Sequence, residues 1–202
     1  MKFFCETERL ILRNFTLDDV ENLTKLDSDP EVMRFINGGI PTSRDAIANK
    51  FLPYVMSYYT HSDNLGFWAI VERQSQEFIG FIFLRPEVDF ELLQQLNFAE
   101  QDAIELGYRI RQISWNKGYM TEAAKALIDK SFTESKTKKI VAWALSENKA
   151  STRVMEKVGL KLQQEHTVTE DLVPANLLDN SLIQNLLDRQ IVRYQLNRTE
   201  WI

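Results

Sequence analysis

Apolar and polar positions change period several times along the chain, and each change predicts an element. Residues 8–15, ERLILRNF, read as a first strand. Thr16, with Asp18 and Asp19, then supplies an N-cap and first-turn acids for a helix carrying Val20 and Leu23. Asp29-Pro30-Glu31 restarts a helix, because proline at the first helical position gives up an N–H that would have no partner there. SDPEVMRFI therefore predicts a short second helix that ends before Asn37-Gly38-Gly39. A longer helix is expected after Thr42 or Ser43, kinked or shortened by Pro53. The apolar, aromatic and β-branched runs 67–71 and 78–84, separated by the polar ERQSQE, form the pattern of an antiparallel hairpin.

In the second half, 104–110 (IELGYRI) predicts a strand. A helix from about Gly118 to Phe132 follows, with Met120, Ala123, Ala124, Leu127 and Ile128 at helical spacing. IVAWAL (140–145) is a buried type of strand, 149–158 a helix with Ala150, Val154 and Val158 four apart, and 190–196 a closing strand. The class is mixed α/β, in one domain over 1–202. Two acidic segments interrupt the scheme: 86–103, with Phe90, Leu92, Leu93 and Phe98, and 167–189, with a short helix at 181–187. Insertions of this length are binding walls or lids when ordered, or surface excursions without a role.

Composition narrows the classes. The chain is 44% hydrophobic and 26% charged with only 7 Gly and 5 Pro, a globular balance. A net charge of −5 and the lack of any Lys/Arg block argue against nucleic acid, and lean towards cationic substrates. No run approaches the ~18 apolar residues of a membrane span, and MKFFCETERL does not read as a secretory leader. Cys5 is the only cysteine, which excludes an intrachain disulfide and fits a reducing compartment; a cytoplasmic protein, monomer or homodimer, is expected.

The stretch ELGYRIRQISWNKGYMTEAAKAL carries the chemistry, running from a strand through a short loop into the first turn of a helix. The first N–H groups of a helix have no internal partner and the dipole adds about half a positive charge, so a pyrophosphate can rest there on backbone donors. Gly118 lets that backbone come close, Lys117 adds charge and Thr121 adds a hydroxyl. Neither GxxxxGK[ST] nor GxGxxG is present, so this is no P-loop or dinucleotide fingerprint.

Gly107-Tyr108-Arg109-Ile110-Arg111-Gln112-Ile113-Ser114-Trp115-Asn116-Lys117-Gly118-Tyr119-Met120-Thr121-Glu122-Ala123 resembles the segment GYxLxxxxWGKGYATEA. That segment is typical of the GNAT acetyltransferases, in the branch that modifies the N-termini of ribosomal proteins. Asn148-Lys149-Ala150-Ser151-Thr152-Arg153-Val154-Met155-Glu156-Lys157-Val158-Gly159-Leu160 is similar to the branch's NxxSxxxxEKxGF. TERLILRNFTLDDVENL and SDPEVMRFI resemble its opening strand and helices, so the likeness covers nearly all the chain except the two acidic insertions.

The resemblance implies a mixed sheet, helices on both faces, splayed open between the strands 104–110 and 140–145, with acetyl-CoA in the opening and a primary amine as acceptor, either a protein N-terminus or a small-molecule amine such as a polyamine, amino sugar or amino acid; the alternative is a catalytically silent acyl-CoA-binding module. The amine would attack directly, without an acyl-enzyme. It implies that backbone groups along Tyr108, Arg109 and Ile110 pair with pantetheine, that Asn116, Lys117, Gly118, Tyr119, Met120 and Thr121 hold the pyrophosphate, and that Asn148 binds pantetheine; Asn148 also stands at a helix N-cap. The sequence departs from the pattern at Asn116, where the branch has Gly, and at Met120, where a small residue is usual and a bulkier one would narrow the phosphate loop.

Acetyl transfer to an amine needs a donor for the oxyanion, an acid for the leaving thiolate and a base for the amine. Many relatives place a tyrosine seven residues beyond the asparagine, where this chain has Met155. Ser151, a position where the branch often has serine near the sulfur, is the substitute, or else a helix-surface serine. Glu105 is the first choice of base, a carboxylate on the floor of the cleft; the alternative is an ion pair on the strand's other face, since it stands one residue from the position used by some relatives. Solvent or an acid of the insertions can serve instead. His61 and His166 are far apart with no HxxxH spacing and no metal site is expected. Trp68 and Trp143 read as core, and Tyr54, Tyr58 and Tyr59 either line a substrate entrance or pack the third helix.

Overall fold

The computed structural model describes residues 3–201; Met1, Lys2 and Ile202, the ends of the one-domain reading, lie outside them. Its strands are β1 (Phe3–Glu6), β2 (Leu10–Asn14), β3 (Gly66–Glu72), β4 (Phe78–Pro86), β5 (Ile104–Ile110), β6 (Lys139–Leu145), β7 (Lys161–Thr167) and β8 (Gln190–Asn197). They form one sheet in the order β1-β2-β3-β4-β5-β6-β8-β7. All neighbours run antiparallel except β5 and β6.

The helices are α1 (Val20–Asp27), α2 (Pro30–Asn37), α3 (Arg44–Ala46), α4 (Leu52–Ser57), α5 (Glu91–Gln95), α6 (Tyr119–Glu134), α7 (Lys149–Lys157) and α8 (Ser181–Leu186). Local chemistry sets their starts. The Asp29 side chain accepts from the Glu31 N–H at 3.0 Å with Pro30 behind it, and Gly38 closes α2 with a left-handed φ of 79°. Ser43 caps α3, accepting from Ala46 at 3.2 Å. Pro53 does not break the helix that follows: a wide π-turn at Ile47–Phe51, in which Leu52 bonds back to Ile47, lies just before it and links α3 to α4. The wider turn accommodates a ring that would meet the carbonyl of a regular helix.

The long hydrophobic helix α6 lays Ala123, Ala124, Leu127, Ile128 and Phe132 on one sheet face, against Leu10, Trp68, Ile70 and Leu106. Trp68 is core, stacked on Phe4 with ring centroids 4.0 Å apart. Helices α1 and α4 and the π-turn between α3 and α4 cover the other face of β2–β4, with Leu23, Leu26, Ile47 and Leu52 packed on Phe67 and Phe81. Tyr59 belongs to this packing: its hydroxyl accepts from Phe15 N–H at 2.9 Å and donates to the Phe67 carbonyl at 2.5 Å.

Three sequence expectations are corrected. The strands β1 and β7 were not anticipated; β7, KLQQEHT, is almost wholly exposed and exists through its pairing to β8, with no apolar alternation to signal it. On α7 the buried residues are Thr152 and Met155, whereas Ala150 is exposed and, with Val154, faces an opening in the sheet. The acidic insertions are not surface excursions. Leu92 and Leu96 from the first, with Val173, Ile183 and Leu186 from the second, build a third cluster over Leu145 and Ile191, covering the part of the sheet that α1–α4 leave bare.

Candidate active site

Strands β5 and β6 pair at two positions only, Ile104↔Ile140 and Glu105↔Val141, and then part. The strand alternation decides which β5 groups face the gap. Arg111 N–H bonds the Ile79 carbonyl of β4 at 2.8 Å, so Ile110 and Tyr108 turn their backbone groups the other way, towards β6. The Ile110 carbonyl is taken by the Trp115 indole N–H at 2.9 Å, which pins the following loop to the strand end. The N–H of Ile110 and both groups of Tyr108 are thereby left as a strand edge without a neighbouring strand.

The gap widens into a cavity of about 480 Å³ bounded by β5, the loop 114–118, the first turns of α6 and α7, β6 and α2. Residues 116 and 118 shape the loop: Asn116 has φ 59° and Gly118 φ 80°, both left-handed. Asparagine tolerates that region better than other side chains, which explains how it stands where the related pattern has glycine. Gly118 is the N-cap of α6, no side chain caps that helix, and the first intrahelical bond is Glu122 N–H to Gly118 carbonyl at 3.0 Å. The N–H groups of 119–121 therefore point out of a helix of 16 residues without an intrahelical acceptor.

Arg9, unassigned from the sequence, braces this loop. It donates to the Lys117 carbonyl at 3.0 Å, bonds Glu122 at 2.7 Å and lies 4.7 Å over the Tyr119 ring. Burial alone would raise the Glu122 carboxyl, but bonds from Thr7 and Arg9 outweigh it and hold the group below the usual carboxylate range. Lys117 is exposed, and Thr121 and Tyr119 line the cavity. Met120 is 6% exposed and packs into the core under α6 while also bordering the cavity. Arg153 and Lys157 of α7, exposed and also unforeseen, bring two cations to the same mouth.

Asn148 is the N-cap of α7, its Oδ1 accepting from Ser151 N–H at 3.2 Å, and it lines the cavity beside Ser151. Arg109 and Glu105 are placed differently from expectation. Side chains alternate along β5, so both lie on the face opposite Tyr108. Arg109 turns its backbone to β4 and its guanidinium to Asp27 of α1 at 2.6 Å, lining the cavity on the α2 side only. Glu105 is 5% exposed and bonded to Arg85 at 2.6 Å, and it does not reach the opening. Burial pushes its carboxyl up, against the pull of Arg85. Tyr54 and Tyr58 have hydroxyls 2.9 Å apart, and Tyr58 donates to Asp89 of the first insertion at 2.7 Å, away from the cavity. His61 bonds the Ser57 carbonyl and His166 stacks on Phe98, so the two histidines serve separate local contacts.

A parted strand pair beside an uncapped helix start offers a free backbone edge to an amide-bearing chain and a seat for its phosphates. Residues 9–161 match the model of the acetyltransferase (GNAT) domain, and the chain belongs to that family. It is 29% identical over 157 residues to the uncharacterized N-acetyltransferase YnaD of Bacillus subtilis (strain 168), covering 77% of this chain and 81% of that protein. It is 28% identical over 196 residues to the FsC-acetyl coenzyme A-N(2)-transacetylase of Aspergillus fumigatus, covering 97% of this chain and 77% of that one. The crystal structure of a GNAT-family acetyltransferase from Bacillus anthracis shares the fold, with a TM-score of 0.74 at 23% identity over 98% of this chain and 99% of that one. The protein is thus an acetyl-CoA-dependent N-acetyltransferase. Among the described residues no helix is long and apolar enough to cross a membrane.

Proposed function

We propose that pantetheine lies in the gap between β5 and β6, and that a primary amine arriving from the α2 side attacks the thioester directly. The observation that carries this is the parting of β5 from β6 after two pairs, which leaves the Tyr108 backbone and the Ile110 N–H as partners for the amides of the pantetheine arm. The N–H groups of 119–121 would take the pyrophosphate, with Thr121, Arg153 and Lys157 at its edge. Asn148 keeps its NH2 for pantetheine while its oxygen caps α7. Cys5 sits on β1 at the far edge of the sheet, which supports transfer without an acyl-enzyme.

The acceptor wall is apolar, made of Val32, Phe35 and Ile36 of α2 with Trp143 of β6. Its charged groups are Glu31 at the exposed rim and the Arg109 guanidinium. The Arg109 charge is already matched by Asp27, so a polyamine or amino sugar would find little beyond Glu31 to hold its further polar groups, and the apolar wall favours an amine carried on an apolar group, such as a protein N-terminus. Glu31 lines the entrance and Glu105 does not, so the amine sheds its proton to water at the rim, with Glu31 favouring the ammonium's approach. A small-molecule acceptor is the second reading, favoured by the match along 97% of the chain, both insertions included, to a protein named for N(2) acetylation.

Calorimetric titration with acetyl-CoA and CoA comes first, followed by thiol release with an N-terminal peptide, phenylalanine amide, spermidine and glucosamine. Turnover with the peptide or the amide, reduced by Phe35→Ala through KM, supports the reading. Failure of the folded protein to bind CoA would overturn it, and preference for spermidine would overturn the acceptor class.

A further inference from the structure

Acetyl transfer ends with a thiolate that needs a proton, and Ser151 alone is a poor source of one. In the fold a second hydroxyl stands against it. Tyr108 Oη lies 3.1 Å from Ser151 Oγ and 3.1 Å from the Ser151 carbonyl oxygen, reaching from β5 to the first turn of α7. Both residues line the cavity next to Asn148. Met155, one turn further on, is 2% exposed within the core and has no proton to give. Burial pushes the Tyr108 phenol above its ordinary range, so it holds its proton at neutral pH as a hydrogen-bond donor, and the tyrosinate formed when it gives that proton up is short-lived.

We propose that Tyr108 is the positioning residue for leaving-group protonation, aiming the Ser151 hydroxyl at the thioester sulfur and replacing its proton as it is given up. The proposal rests on the acetyltransferase reading above. The amine nitrogen forms its bond to the thioester carbon, the C–S bond breaks and its electron pair goes to sulfur. Ser151 O–H then protonates the sulfur while Tyr108 O–H protonates Ser151 Oγ. The tyrosinate regains a proton from water after the thiol departs, and the amide nitrogen loses its extra proton to water on the α2 side. The sum is amine plus acetyl-CoA giving amide plus CoA thiol.

The test compares wild type, Tyr108→Phe and Ser151→Ala in single-turnover thiol release from acetyl-CoA, with phenylalanine amide as acceptor, or with water where the amide is not used. Rates are taken in mixtures of light and heavy water, with CoA affinity measured alongside. Tyr108→Phe should keep its Kd for CoA within about twofold and lose about ten- to a hundredfold in rate, within the usual reach of acid catalysis. The isotope plot, bowed in wild type because two protons move, should become linear in both variants. A tyrosine that merely pins α7 would leave the plot bowed. That result, or a Tyr108→Phe rate within about threefold of wild type, overturns the proposal while CoA binding and turnover stand. Absence of CoA binding by the wild type overturns the reading beneath it instead.

Discussion

Arg193 of β8 and Glu87 of the first insertion form a two-pronged ion pair, Nε to Oε1 and Nη2 to Oε2 each at 3.0 Å, with both side chains out of contact with solvent. The Trp143 indole adds a bond to Glu87 Oε1 at 2.6 Å, and the Glu100 N–H adds one to Oε2 at 2.9 Å. The pair ties an insertion to the strands behind the acceptor wall. Removing Glu87 leaves Arg193 with the Glu100 carboxylate at 3.0 Å and Gln195 Oε1 at 3.0 Å, so Glu87→Ala should destabilise by less than the ~3–5 kcal/mol of a fully stranded buried charge. A joint change to Glu87→Leu with Arg193→Met should recover much of that. Urea unfolding checks both, and equal losses for the single and the joint variant would refute the account.

Gly118 has room for a side chain, since a Cβ there would find only the Arg9 guanidinium, at 3.4 Å. Its φ of 80° is the obstacle. Gly118→Ala should weaken CoA binding by about 1–2 kcal/mol, the usual cost of a left-handed residue. Asn116→Gly should leave affinity within about twofold. Calorimetry with CoA reads both, and an unaffected Gly118→Ala would mean that the loop can relax.

Asp19 is 2% exposed, and burial alone would raise its carboxyl; the bonds from Arg13 at 2.7 Å, from Thr16 N–H at 2.9 Å and from Asn22 at 3.0 Å prevail and lower it. A lowered folded value means that the proton prefers the unfolded chain. The stability from this group is fully present above its unfolded pKa of about 3.9 and is lost as pH falls through the folded value. Asp19→Asn should be less stable at neutral pH, and the gap to wild type should close on acidification. Urea midpoints across that range would show it.

Burial pushes the Cys5 thiol up to about 11, with Lys130 pulling it down and Glu134 and Glu6 raising it. At pH near 8 the thiolate is scarce, so alkylation by iodoacetamide should be roughly a hundredfold slower than for an unperturbed cysteine. Cys5→Ser should leave acetyl transfer unchanged. Loss of turnover in that variant would reopen an acyl-enzyme route.

What the sequence determined by itself was whatever neighbouring residues settle between them. Asp29-Pro30 and Gly38 bounded α2, the ERQSQE turn joined β3 to β4, and the run from Ile104 through Gly118 into α6 read as strand, loop and anion-binding helix start, because caps, turns and periodicity act over a few residues. Only the tertiary structure decided the rest. The strand β7 exists because β8 offers it an edge, the insertions find their place because β6 and β8 leave a face bare, and Arg9 reaches the loop from another strand. Tyr108 meets Ser151 across 43 residues of chain, while Glu105 and Arg109, on the same strand, are carried to the opposite face by its alternation. Such meetings depend on how strands are ordered and where one pair of them parts, and burial over the whole sheet, not local propensity, sets that order.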